Sequence, residues 1–127
     1  MRIIGHGVDL VEVSRVAHLL EAHGARFLER CFTPAEREYA EQSVQRRAEH
    51  YAARFAAKEA ILKALGTGWR NGISWSEMEV IRHPSGQPGV RLTGRCAEIA
   101  DSQGVGDWLL SLSHTAQFAI GSAIALG

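Results

Sequence analysis

The sequence is poor in sulfur and carries no excess charge of either sign. Its two cysteines, Cys31 and Cys96, are far apart and match neither a metal-ligand nor a disulfide-framework spacing, which suits a reducing interior better than secretion. Fourteen basic side chains balance fourteen acidic ones, so the chain has no general surface for coating nucleic acid, and any charge that matters must be local. No stretch approaches the roughly 18 apolar residues of a membrane span, and the apolar run in "MRIIGHGVDL" is too short for a signal peptide. A cytoplasmic protein with neither a membrane nor a nucleic-acid partner is the expectation. Repeats, low-complexity tracts and linker-like segments are also missing. What is present is a chain of 127 residues, 46% of them apolar, which suits one domain over residues 1–127 with a real core.

Secondary structure follows from local chemistry. "RIIGHGVDLVEV" is β-branched and broken by Gly5 and Gly7, which predicts a strand running close to another backbone or a ligand, with Asp9 near its end. Val13, Val16, Leu19 and Leu20 then recur at helical spacing, Arg15 faces outward, and Gly24 is a stop. "ARFLERCF" makes a second helical piece. In "FTPAEREYAEQ", Thr33 caps, Pro34 takes the first helical position and Glu36 completes a capping box. The longest helix is expected from about Arg46 to Leu65, ended by Gly66 in a left-handed cap. Beyond the "GTGWRNG" loop, "EMEVIRH" and "GVRL" form a hairpin around "PSGQPG". A short helix in "GRCAEIADSQG" and two β-rich runs hinged at His114 to Gln117 complete the chain. The order β-α-α-α-β-β-α-β-β predicts an α+β domain with a largely antiparallel sheet packed with one long helix and several short ones.

Between Tyr51 and Leu65 every residue except Arg54, Lys58, Glu59 and Lys63 is Ala, Ile, Leu, Phe or Tyr. A helix so apolar is normally buried. Arg54 and Lys58 lie one turn apart along one edge of the Phe55 and Leu62 stripe, and Glu59 and Lys63 along the other. Buried charges are either paired or directed into a cleft that a charged ligand fills. The plain alternative is an i,i+4 ion pair from Glu59 to Lys63, worth about 0.2–0.5 kcal/mol. Three cations and one carboxylate suit a ligand carrying phosphates and a divalent ion.

Asp9 is the best second carboxylate, although one Asp at a strand end also serves as a turn or helix cap. With Glu59 it would meet the requirement of magnesium for one or two carboxylates, the rest of its octahedron being water and phosphate oxygen. Gly66, Thr67 and Gly68 could bring backbone N–H groups to a phosphate, or form an ordinary C-cap and loop. "LSLSHTAQ" offers Ser113, His114 and Thr115 as donors. No acidic residue adjoins His114 to suggest a nucleophilic triad.

Taken together, "GHGVDLVEVSRV", "RFAAKEAILKALGTG" and "LSLSHT" resemble the holo-acyl-carrier-protein synthases, the small bacterial branch of the 4′-phosphopantetheinyl transferases, over essentially the whole chain. The resemblance implies the fold of those transferases and an enzyme that moves the phosphopantetheine arm of coenzyme A onto a serine of apo acyl carrier protein, releasing adenosine 3′,5′-bisphosphate, in support of fatty acid biosynthesis. It further implies that Asp9 and Glu59 hold magnesium against the pyrophosphate, with Lys63 stabilising charge on the transferred phosphate and Lys58 beside it or behind it. Arg54, Ser113, His114 and Thr115 match positions near the adenosine and its 3′-phosphate, and Gly66, Thr67 and Gly68 match a segment lying along the coenzyme. Glu59 is the expected base for the carrier serine, directly or through a water on the metal. The family forms homotrimers with sites at subunit interfaces, which would cover both faces of the nearly unbroken apolar strand "FAIGSAIAL".

The acidic carrier is met in this family by a basic first helix, whose role falls here to Arg15 and Leu19, with Arg26 on the next piece. Ala17, His18 and Ala22 leave that helix less basic than in many relatives, so docking should lean on hydrophobic contact and depend less steeply on salt. For Arg15 plain solubility is the alternative role. His6, between two glycines, has no assigned role beyond a core or interface position. Two other functions use the same residues: a magnesium-dependent hydrolase of nucleotide pyrophosphates, and a non-catalytic oligomer that binds coenzyme A.

Overall fold

The computed structural model describes residues 2–68 and 72–127; Trp69, Arg70 and Asn71 of the expected "GTGWRNG" loop lie outside them. Strand β1 (Ile3–Glu12) leads into α1 (Val13–Cys31), and α2 (Pro34–Ala40) and α3 (Arg47–Leu65) follow. A single 3-10 turn (Trp75–Glu77) precedes the hairpin β2 (Met78–Arg82) and β3 (Pro88–Leu92), then come α4 (Gly94–Ser102), β4 (Asp107–His114) and β5 (Phe118–Leu126). β1, β5 and β4 form one antiparallel sheet in that order, and β2 with β3 forms a second. The α+β architecture and antiparallel pairing expected from the element order are both present.

Local signals act as their chemistry requires. Gly24 adopts φ 39° and kinks α1 into two helical pieces, the break expected between "EAHG" and "ARFLERCF". The Thr33 hydroxyl accepts from the Glu36 N–H while the Glu36 carboxylate accepts from the Thr33 N–H, which completes the capping box. Gly66, at φ 75°, ends α3. Asp9 lies toward the end of β1, as expected, opposite Gly121.

α3 lies directly on the three-stranded sheet. A Cβ at Gly5 would overlap the carbonyl oxygen of Ala64, one at Gly7 that of Ala60, and one at Gly121 the backbone of Ala56 and Ala57. Only glycine facing alanine permits this approach, so the close-running strand read from the two N-terminal glycines meets backbone. The period of two then sorts the sheet into faces. Asp9, Val11, Ala119, Gly121, Ala123, Leu110 and His114 share the helix side. Val8, Leu10, Phe118, Ile120 and Leu109 share the other, where they are exposed.

Candidate active site

Where the β1 edge of the sheet passes beside α3, Asp9 lies close enough to Glu59 for its charge to act there. Lys63 reaches across from one turn further along the helix, its Nζ donating to the Val8 carbonyl (2.9 Å) and to Asp9 Oδ1 (3.1 Å). The ammonium is thus held by β1 and not spent on the i,i+4 pair with Glu59. The Glu59 carboxyl is pushed above the usual range, first by burial and next by the charge of Asp9, while Lys63 and then Arg15 oppose the shift. Two carboxylates that repel each other, flanked by two cations, suit a divalent ion that also takes phosphate oxygens. Among the described residues no three His, Cys, Asp or Glu cluster closely enough to hold a metal ion.

A second cluster occupies the β4 flank of α3. His114, at the end of β4, has its Nδ1 2.8 Å from Glu49 Oε1 in the first turn of the helix. Its ring packs edge-to-face with His50, centroids 5.5 Å apart. His50 in turn lies 5.3 Å from Tyr39, and the Arg54 guanidinium lies 3.9 Å from the same phenol ring. Arg82 donates to the Tyr39 hydroxyl at 2.6 Å. Arg54 is only 6% exposed and its Nε has no hydrogen-bond partner. Burial lowers its affinity for a proton, partly offset by Tyr39.

The two clusters are separate within the chain. Glu49 and Glu59 are ten residues apart on α3, or about 15 Å along its axis. In the sheet, Asp9 is level with Gly121 and Leu112, whereas His114 is level with Ala119 and Val11.

A groove of about 490 Å³ opens on the α1 side, lined by Leu19, Phe27, Phe55 and Trp75 with His23, Arg26 and Arg30 among its other walls. Leu19 and Arg26 were expected at a docking surface. Arg15 is exposed and lies close enough to Glu59 for its charge to act there.

A family model described as the 4′-phosphopantetheinyl transferase superfamily matches residues 5–121. The chain belongs to that superfamily. Among curated relatives, the holo-[acyl-carrier-protein] synthase of Koribacter versatilis (strain Ellin345) is 48% identical over 122 residues, 96% of this chain and 97% of the relative. The crystal structure of the Neisseria meningitidis holo-[acyl-carrier-protein] synthase superposes with a TM-score of 0.89 at 29% identity, covering 99% of this chain and 100% of that one. A Bacillus anthracis str. Ames synthase in complex with coenzyme A (3′,5′-ADP) gives 0.79 at 32% identity, covering 97% and 96%.

Several residues expected at the coenzyme engage the fold itself. Lys58 is fully buried, and its Nζ donates to Glu36 Oε1 (2.8 Å), the Met78 carbonyl (2.7 Å) and the Trp75 carbonyl (3.1 Å). All three of its donors are taken, so it has none to offer coenzyme A or a phosphate. The N–H groups of Gly66 and Thr67 close the end of α3 on the Lys63 and Leu62 carbonyls, the C-cap alternative offered by the sequence. Thr67 Oγ1 donates to the Gly68 carbonyl. Thr115 Oγ1 accepts from the N–H groups of Gln117 and Phe118 and so closes the β4–β5 turn. Ser113, opposite Ile120, faces the other side of the sheet from His114, because adjacent strand residues alternate.

Sequence reasoning missed Glu49, His50, Tyr39 and Arg82. Glu49 sits 65 positions from its partner His114, and only the folding of β4 against α3 brings them together. The capping-box reading of Glu36 was right but incomplete. The same carboxylate, 1% exposed, also holds Lys58 and the Val80 N–H.

Proposed function

We propose that this protein, acting as a single transferase domain over residues 1–127, transfers the 4′-phosphopantetheine arm of coenzyme A to a serine of apo acyl carrier protein and releases adenosine 3′,5′-bisphosphate. The observation that carries the reading is the convergence of Asp9, Glu59 and Lys63 from β1 and α3 in a chain of this superfamily. The serine oxygen forms the new bond to the phosphorus that bears pantetheine, and the pyrophosphate P–O bond breaks, so the electron pair leaves with the bisphosphate. Glu59, whose carboxylate burial makes more basic, receives the serine proton. Lys63 lies on Asp9 with its side chain half exposed, a position from which its ammonium neutralises charge on the leaving phosphate. Asp9 and Glu59 would hold magnesium, which when bound would supply further neutralisation of the pyrophosphate.

Arg54 and His114 take the adenosine end of coenzyme A. Their placement on the far flank of α3 from Asp9 supports a site completed between copies of the chain. The exposed apolar face of Val8, Leu10, Leu109, Phe118 and Ile120 supports a homotrimer that covers it. The carrier protein docks at the groove, where Leu19, Phe27, Phe55 and Trp75 offer apolar contact and Arg26, Arg30 and His23 suit an acidic partner. A cytoplasmic enzyme of fatty acid biosynthesis is the matching setting. Its buried cysteines are both unpaired, and among the described residues no helix is long and apolar enough to cross a membrane.

Intact-protein mass spectrometry of apo acyl carrier protein incubated with this protein, coenzyme A and magnesium tests the reading. A gain of one phosphopantetheine arm is expected, lost with a chelator and lost with Asp9→Ala, which keeps the fold. Transfer by the Asp9→Ala variant at the wild-type rate would sink the metal assignment. Hydrolysis of coenzyme A with no gain on the carrier would favour a pyrophosphate hydrolase instead.

A further inference from the structure

The Glu49 and His114 side chains are 18% and 28% exposed, and their contact is short enough to fix a proton. A carboxylate only accepts, so Nδ1 of His114 is the protonated nitrogen at that bond and Nε2 is turned away from Glu49. The edge-to-face packing of His50 restrains the imidazole from a second side. His50 itself is held below the ordinary histidine value by burial, then by the charges of His114 and Arg54, so both of those groups lie close to it. Tyr39 carries the His50 ring and the Arg54 guanidinium on one phenol. Arg54, buried and with Nε unpartnered, and the imidazolium form of His114, whose second N–H at Nε2 is turned outward, are thereby assembled as a pair of donors. The carboxylate among them is engaged with the imidazole.

We propose that Glu49 is a positioning residue: it holds His114 with Nε2 presented, beside Arg54, to the 3′-phosphate of coenzyme A, and so sets the preference for coenzyme A over its 3′-dephospho form. This rests on the placement of the adenosine end given above. Glu49 touches no substrate in this arrangement, and its effect reaches the ligand through the imidazole. A carboxylate–imidazole pair could instead serve as a proton acceptor in the transfer step. That role would affect turnover of both coenzymes alike, whereas positioning affects only the one that carries the 3′-phosphate.

Steady-state transfer kinetics with the complete, magnesium-loaded protein and apo carrier protein separate these. The readout is the ratio of kcat/KM for coenzyme A to that for 3′-dephospho-coenzyme A. The wild type is expected to favour coenzyme A, and Glu49→Ala to lower the ratio on the order of tenfold, chiefly through the KM for coenzyme A. Glu49→Gln keeps an acceptor oxygen at the same reach and should recover most of the loss. His114→Ala should lower the ratio as well, and the double variant no further. Should the alanine form not fold, Glu49→Asp keeps the charge but withdraws the acceptor by one methylene, and it too should lower the ratio. Equal losses on both substrates, additive losses in the double variant, or no wild-type preference would overturn the proposal. If His114→Ala left the ratio unchanged, the adenosine-end placement would fall and Glu49's role with it, while carrier modification in the mass assay would still stand.

Discussion

Replacing Lys58 by methionine removes an ammonium from the middle of the core and leaves its partners in place. Glu36, 1% exposed, loses its counter-charge and keeps only the N–H groups of Thr33 and Val80, while the carbonyls of Trp75 and Met78 lose a donor. Breaking a buried pair from one side costs about 3–5 kcal/mol. For a chain of this size that corresponds to a fall in Tm of roughly 12–20 °C. Urea unfolding followed by far-UV circular dichroism, at one fixed protein concentration, reads the loss directly. Adding Glu36→Gln should recover part of it, making the double variant about 1–3 kcal/mol more stable than the sum of the single losses predicts. The reasoning assigns Lys58 to the core, so a Lys58→Met protein with the wild-type unfolding midpoint but no transfer activity would refute it and return Lys58 to the phosphate.

The close packing of β1 on α3 predicts that Gly7→Ala destabilises by about 1–3 kcal/mol or more, because its Cβ meets the Ala60 carbonyl with no flexible side chain to give way; an unchanged thermal midpoint would contradict this. Glu59 predicts a pH effect. Its folded carboxyl holds a proton more tightly than the unfolded one, so metal-free stability should fall as pH rises from the ordinary glutamate value of 4.5 through the raised folded value, then level off. Glu59→Gln should remove that slope in chemical unfolding at a series of pH values, and an unaltered slope would show that the shift belongs elsewhere.

Much of the fold is legible in single residues. Thr33, Pro34 and Glu36 announce a helix start, Gly66 its end, and "PSGQPG" a hairpin, because each acts through backbone geometry within a few positions. The charged positions of α3 are legible as exceptions but not as roles. The same observation, a lysine in an apolar run, describes both Lys58 and Lys63. What separates them is whether β1 or the Glu36 carboxylate comes within reach, and that is decided by elements up to 54 positions away. Ser113 and His114 illustrate the converse: adjacent in sequence, they part at once because a strand alternates. Glu49 and His114 had no shared local signal, since their meeting depends on the register of β4 against β5 and on where α3 crosses them.

The glycine and alanine contact between sheet and helix also bears on how steadily the site is held. Where side chains separate a helix from a sheet, rotamer changes let the gap breathe. At Gly5, Gly7 and Gly121 peptide groups meet peptide groups or alanine, and no rotatable side chain lies in between. Asp9 is two positions from Gly7, directly opposite Gly121, and Glu59 immediately precedes Ala60, whose carbonyl faces Gly7. The spacing of the two carboxylates is therefore inherited from the backbone, with only their own short side chains left to adjust. Three positions with no side chain at all thus act as the gauge that keeps the two acids in register.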